Sequence, residues 1–356
     1  MQNVKLTVWL STYNQEPYVA QALDSILMQK TDFPFEIVAA DDCSTDRTQE
    51  IILDYQKRYP GKIVTYFPEQ NLGGIRKLTG CIDAGLFRGE YLSYLEGDDY
   101  WLGEERLQTL VEYLETHPKY SRVSHRRKVI DENGNDKGYD IPEDVLGKPF
   151  TIEDFLAGKN YSDFGGVFRN YFRQCGSKYH ELFWASRNVC DFQDMFITQD
   201  FGPVFVMDAV FGVYRSISIA GAQNYNSITP IAKRRRDSIQ IAQTVEQFYN
   251  GKYDLSPLIR RDRFRLLLLA VASQDAEEFA RVREDIPLEQ RRELLAEVLY
   301  LSQRGGREQE ISFLREQMLP EEKKGLRVLT VSYAAKRVKS KLTGKRPDER
   351  LRGYLR

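Results

Sequence analysis

The chain has 356 residues, 42% of them hydrophobic, with 19 Phe and 21 Tyr. That composition excludes a disordered chain and is enough for one large domain or two modest ones. Its net charge of −1 hides a split, because residues 323–356 carry 12 Lys/Arg against 2 Asp/Glu and the remainder is acidic.

No apolar run approaches the ~20 residues of a spanning helix. The opening MQNVKLTVWLSTYNQEP lacks a signal-peptide cleavage pattern, so a cytoplasmic location is expected. The four cysteines, Cys43, Cys81, Cys175 and Cys190, form no CxxC pair, and His117, His125 and His180 are not at ligand spacing. A zinc site or disulfide framework is thereby disfavoured; metal chemistry would rest on carboxylates and a hard cation, Mn²⁺ or Mg²⁺.

Strand and helix patterns alternate over the first hundred residues. VKLTVWLS (4–11) reads as a strand, EPYVAQALDSILMQ (16–29) as an amphipathic helix and FEIVAAD (35–41) as a buried strand. Residues 44–59 read as a helix with Ser44 or Asp46 as its cap, 62–69 as a strand, 73–87 as a helix and 90–97 as a strand. This alternation predicts a mainly parallel α/β sheet flanked by helices, which binds ligands beyond the C-terminal ends of its strands. A helix is expected over 104–116, an Asn-Gly turn in VIDENG, a capping-box helix start in TIEDFLAG and a strand over 204–216. The domain reading is 1–236, with a nucleotide-binding half at 1–103 and an acceptor-binding half at 104–236. A helical subdomain at 237–322 and a basic tail at 323–356 follow.

Two acidic pairs stand at expected strand ends: Asp41-Asp42 in VAADDCSTDRT and Asp98-Asp99 in YLEGDDYW. Either pair also reads as helix-capping or turn residues. Together with STYNQEPYVAQALDSILMQ and NLGG, in this order and spacing, they resemble the family 2 glycosyltransferases of the GT-A fold, notably bacterial members that build surface polysaccharides. The resemblance covers about 60% of the chain, residues 5 to 222.

That resemblance implies an inverting transfer from a UDP-sugar to a hydroxyl of a glycan or lipid-linked glycan. Ser11 and Tyr13 would line the uracil pocket, Tyr13 stacking on the base, Asp42 would accept the imide N–H, and Arg76 reads either as a contact to base or diphosphate or as a solvated helix residue. Asp98 would contact ribose or donor sugar, and Asp99 would ligate the metal that neutralises the diphosphate. Asp191 would be the base that deprotonates the acceptor, with Asp194 one turn on; a helix cap is the other reading of that pair. Trp101 reads either as a sugar platform or as core, and His125 either as a substrate contact or as a structural hydrogen-bonding residue.

Two departures stand out. Cys43 occupies a position often held by Gly, and Ile217 stands where Tyr-Arg-x-His would place a histidine. Isoleucine cannot ligate, so partial metal dependence or a degenerate enzyme is compatible with the motif. In VSYAAKRVKSKL, apolar residues at helical spacing among lysines and arginines fit an anionic membrane surface, as they fit a solvated basic end. A sugar-nucleotide pyrophosphorylase is disfavoured by the lack of glycine in WLSTYNQEP. A nucleic-acid-binding module is disfavoured because the basic charge is confined to the C-terminus; a non-catalytic sugar-nucleotide or glycan-binding module is the remaining alternative.

Overall fold

The computed structural model describes residues 4–157, 166–187, 191–216, 229–323 and 329–330. Ile217 and nearly all of the basic tail lie outside the described residues. The chain divides into two compact units, Met1–Thr229 and Pro230–Arg356.

The first unit opens with β1 (Leu6–Thr12), α1 (Val19–Leu27), β2 (Phe35–Asp41), α2 (Thr48–Arg58), β3 (Ile63–Tyr66), α3 (Gly74–Asp83) and β4 (Tyr91–Glu96). Every residue of β1 and β2 is buried, as expected of parallel strands covered on both faces. Val19, Ala22, Leu23 and Ile26 of α1 repeat at helical spacing and face that layer. Strand order begins 3-2-1-4, all parallel, so the expected parallel sheet occupies this half. Register sets Thr12 opposite Asp41 and Ser11 opposite Glu96, which brings the ends of β1, β2 and β4 to one edge.

Beyond β4 the sheet is mixed. The chain continues through β5 (Tyr100–Trp101), α4 (Arg106–Thr116), β6 (Arg122–Ile130), β7 (Asp136–Tyr139), β8 (Lys148–Phe150), α5 (Ile152–Leu156) and β9 (Val167–Arg169). Short α6 (Phe172–Cys175) and α7 (His180–Phe183), then α8 (Asp191–Asp200) and β10 (Val204–Arg215), complete the unit. β9 runs antiparallel between β4 and β6, while β10 runs parallel to β6 with a bulge between Met207 and Gly212. β5 pairs antiparallel with Gly212 and Val213 of β10, so the Asp98-Asp99 turn is brought beside Tyr214-Arg215. The Asn-Gly turn joins β6 to β7, and Thr151 with Asp154 forms the capping box at α5.

The second unit contains α9 (Ile231–Phe248), α10 (Ser256–Ser273), α11 (Ala276–Glu284), α12 (Leu288–Arg304), α13 (Glu308–Gln317) and α14 (Pro320–Lys323). Leu267, Phe279, Leu294, Val298 and Leu314 lie in its own core. It begins at Pro230 rather than 237, because the first turns of α9 run through the charged segment KRRRD, which obscures the apolar period.

Asp41 locks the strand ends of the first unit. Its fully buried carboxylate accepts from Thr12 Oγ1 (2.8 Å), Ser44 N (2.8 Å), Ser44 Oγ and Gln49 Nε2 (2.7 Å). Asp41→Ala is expected to destabilise the unit by about 2–4 kcal/mol, since it strands several donors away from water. Urea denaturation measures this; a loss below about 1 kcal/mol would mean that water replaces the carboxylate.

Candidate functional site

The turn after β2 divides its two carboxylates between different tasks. Asp41 faces inward and takes the capping role described above. Asp42, nearly buried, points to the NLGG loop, its two oxygens accepting from Leu72 N and Gly73 N at 2.8 Å each. Each oxygen keeps a second lone pair for a further donor. Gly73 adopts φ 86°, and a Cβ there would meet Arg187 Cγ at 2.5 Å, so only glycine fits. Arg187 in turn donates to Asn71 Oδ1 (2.9 Å), and its carbonyl accepts from Ile75 N (3.1 Å). The NLGG loop therefore ties the Asp42 turn to the chain segment that leads to Asp191.

The turn also grips the end of β1. Asn14, at φ 52°, donates its N–H to Ser44 Oγ and accepts from Thr45 N, both at 2.8 Å. Asp46 accepts from Glu16 N and Thr48 N at 3.0 Å, so it serves the start of α2, whereas Ser44 bonds Asp41 and Asn14. Cys43 adopts φ 61°, the left-handed conformation that glycine takes without strain. Ser11 and Tyr13 flank this edge, the first nearly buried and the second half-buried.

Sequence reasoning missed Lys77. It is almost completely buried, donates to the Thr12 carbonyl at 2.9 Å, and lies in the field of Glu96, Asp42 and Asp41. Burial lowers its pKa, and those three carboxylates oppose that shift. Its signal was a lysine between Ile75 and Leu78 on the apolar face of α3.

At the end of β4 the two acids differ in burial and in partners. Asp99 is 3% exposed; its Oδ1 accepts from Arg215 N (2.8 Å) and its Oδ2 pairs with Arg127 Nη1 (3.3 Å). Arg127 also binds Asp140 at 2.7 Å. Asp98, by contrast, is half-buried and presents the more accessible carboxylate. Desolvation raises the pKa of both, with Asp98 adding to the rise at Asp99 and the two arginines holding Asp98 down. Glu96, also missed, accepts from the Ser11 hydroxyl and is pushed up to about 7, mainly by desolvation, with Lys77 opposing and Asp98 and Asp191 reinforcing.

Asp191 and Asp194, a single spacing in sequence, have separate roles in space. Asp194 is buried, paired with Arg122 at 2.5 Å and hydrogen-bonded by the Tyr171 hydroxyl. It anchors α8. Asp191 opens that helix with an exposed side chain, yet surrounding protein desolvates its carboxyl enough to push it up to about 6. Its field reaches Glu96 and Tyr214, which places it at the same cleft as the EGDD turn.

Two of the expected contacts lie in the interior, and a third is on the surface. Trp101 is a core residue, 3% exposed, with the Arg106 guanidinium 3.8 Å from its ring centre; burial leaves no face for a sugar. His125 is fully buried; its Nε2 accepts from Arg106 (3.0 Å) and its Nδ1 faces the Arg126 carbonyl (2.9 Å). Desolvation, then Arg106, drives its pKa well below the ordinary value, so it is a neutral structural residue. Arg76 is exposed and stacks on Trp184, 3.9 Å from the ring centre.

Among the described residues, no group of three or more His, Cys, Asp or Glu side chains forms a metal cage. The oxygen donors of Asp98 and its neighbours are of the type a hard cation takes, and desolvation raises the carboxyl pKa values there while the nearby arginines oppose that rise.

A mixed sheet with a parallel nucleotide-type half and paired acids at its carboxyl edge defines a GT-A glycosyltransferase fold. The crystal structure of Staphylococcus aureus TarS 1-349 in complex with UDP-GlcNAc shares it, with a TM-score of 0.57 and 17% identity over 93% of this chain and 92% of that one. Residues 7–176 match the model of Glycosyl transferase family 2, and the chain carries a domain of that family. The chain is 42% identical over 146 residues to an uncharacterized protein of Mycobacterium tuberculosis, covering 41% of each. It is 33% identical over 117 residues to the poly(ribitol-phosphate) beta-N-acetylglucosaminyltransferase TarS of S. aureus, covering 32% of this chain and 19% of that protein. The matched stretches thus span about two fifths or less of these relatives' lengths.

The Glu96 environment sets a pH dependence of stability. Its folded pKa, about 7, lies above the ordinary glutamate value, so the native state holds the proton more tightly and loses that stabilisation as pH rises toward and through 7. Glu96→Gln is expected to raise the melting temperature by roughly 2–4 °C at pH 8 and to change it little at pH 5. A fall at pH 8 would show that attraction to Lys77 outweighs desolvation.

Proposed function

We propose that this chain transfers a sugar with inversion from a UDP-sugar to a hydroxyl acceptor in the synthesis of a surface glycan. The observation that carries this reading is Asp191, an accessible carboxylate with a raised pKa in the cleft of the EGDD turn, one helical turn from its paired neighbour Asp194. The relative named for N-acetylglucosaminyl transfer to poly(ribitol-phosphate), and the shared fold of its UDP-GlcNAc complex, support the substrate class.

In this reading the nucleotide lies across the carboxyl ends of β1, β2 and β4. Tyr13 stacks on the base, Ser11 lines its pocket, and Asp42 accepts an imide proton while holding the NLGG loop. Asp191 takes the proton of the acceptor hydroxyl as that oxygen bonds to the anomeric carbon. The bond from that carbon to the β-phosphate oxygen breaks, and its electron pair leaves with UDP. A carboxylate with a pKa near 6 is a stronger base than an ordinary aspartate and remains ionised at pH 7. Mn²⁺ or Mg²⁺, when bound, would neutralise the leaving diphosphate, with Asp98 as the available protein ligand and Asp99 behind it.

No helix among the described residues is long and apolar enough to cross a membrane. We place the reaction on the cytoplasmic face, with residues 323–356 meeting anionic lipid where the acceptor is lipid-linked.

Asp191→Asn is expected to lower transfer by at least about a hundredfold while UDP affinity stays within about twofold. Wild-type turnover should rise with pH through an apparent pKa near 6, as Asp191 ionises. Unimpaired transfer by Asp191→Asn would remove it from the base role; a folded wild type that binds UDP but transfers from no UDP-sugar would favour a binding module. Separately, Mn²⁺ enhancement of UDP binding should disappear in Asp98→Asn. Its loss only in Asp99→Asn would show instead that Asp99 exchanges Arg127 for the metal.

A further inference from the structure

The turn that leads from α3 into β4, together with α6, bounds a cavity of about 330 Å³ that the proposed transfer does not use. It lies at the amino ends of the parallel strands, where Gly89 N donates to Thr7 Oγ1 (2.9 Å) and Arg88 Nε to Glu36 (3.0 Å). The length of β4 separates it from the Asp98-Asp99 turn. Phe87 and Phe172, 5% and 4% exposed, form its floor with ring centres 6.0 Å apart, and Trp9 packs edge-on against Phe87 at 6.4 Å. Ile82 adds an apolar wall. Gly85, just past α3, takes φ 64°, and a Cβ there would meet no atom within 4 Å, so the mouth is open at that point. Asn170 Nδ2 donates to the Phe87 and Gly89 carbonyls (2.8 and 2.7 Å), and Leu86 N to the Cys81 carbonyl (3.1 Å). The walls are therefore held in place before any ligand arrives.

Two arginines, Arg88 and Arg173, reach this cavity and differ in their commitments. Arg88 gives its charge to the buried carboxylate of Glu36. Arg173 is exposed, and among the described residues no group pairs with it. Asp83, at the end of α3, faces His180 Nε2 at 3.6 Å instead. A floor of two phenyl rings removes a flat ring from water and offers it offset or edge-on contacts. A guanidinium at the rim matches the two oxygens of one carboxylate. A phosphate dianion asks for more positive charge than one uncommitted guanidinium supplies, and an uncharged ring would leave that guanidinium idle. The volume is at the lower end of small-molecule sites, roughly 300–1,000 Å³, which suits a compact ligand.

We propose that this cavity binds a small aromatic carboxylate, its ring on Phe87 and Phe172 and its carboxylate on Arg173. The site is separate from the acidic cleft, so the two are filled independently, and the inference does not rest on the nucleotide-sugar reading.

The test is calorimetric titration of naphthoate and of the uncharged naphthalenemethanol into the full chain, each with and without excess UDP. Wild type is expected to bind naphthoate with a Kd below about 1 mM, at least about threefold more tightly than the alcohol, and equally well with UDP present. Arg173→Ala should weaken naphthoate by about three- to tenfold and leave the alcohol unchanged, the modest size following from the exposure of the guanidinium. Ile82→Trp, which fills the cavity from the α3 side, should remove both. If Ile82→Trp does not fold, Arg173→Glu at the same exposed position should abolish naphthoate binding and spare the alcohol. No binding at millimolar probe overturns the inference, as does unchanged naphthoate affinity in Arg173→Ala or binding that survives Ile82→Trp. Displacement of naphthoate by UDP would put the probe in the acidic cleft and overturns it as well.

Discussion

The carboxylate of Asp99 ties the turn after β4 to β6 and β10, the strands on the far side of β9. It stands at the end of the parallel half and accepts from Arg215 at the end of β10 and from Arg127 on β6. Buried as it is, that charge would be costly without these donors. The donors in turn set where β5 turns back along β10 and which way Asp98 points. The layout of the cleft follows from satisfying this one buried group.

A second constraint is the amount of negative charge gathered around it. Glu96, Asp98, Asp99 and Asp191 approach one cleft from the ends of β4 and the start of α8, while Arg127 is already shared with Asp140. Desolvation and mutual repulsion raise the carboxyl pKa values. Such a cleft favours whatever brings positive charge into it, and the same crowding, with burial, holds the Asp191 carboxyl above the ordinary aspartate range.

Rigidity on the opposite side of the cleft comes from ordinary hydrogen-bond accounting. Asp41 absorbs the donors of the turn after β2, Asp42 absorbs those of the NLGG loop, and Lys77 reaches the Thr12 carbonyl from beneath. None of these groups has to touch a nucleotide to matter. They fix the edges on which Ser11 and Tyr13 are carried, and Arg187 is tied to the same loop through Asn71.

The order of strands and helices, the strand-end positions of both acidic pairs, and the capping box at Thr151 were legible from sequence, because each depends on local periodicity or a fixed short spacing. The same local logic could not separate Asp41 from Asp42 or Asp191 from Asp194, since neighbouring carboxylates look alike until their partners are known. Nor could it find Lys77, Arg127 or Arg215, whose roles arise from groups dozens of residues away in the chain. Trp101 and His125 carry side chains suited to a sugar site, and only packing against Arg106 assigns them to the interior. Sequence alone determined which chemistry-bearing groups reach the carboxyl edge of the sheet. Tertiary structure decided which of them stay available to a ligand, because availability depends on the partners that three-dimensional burial supplies.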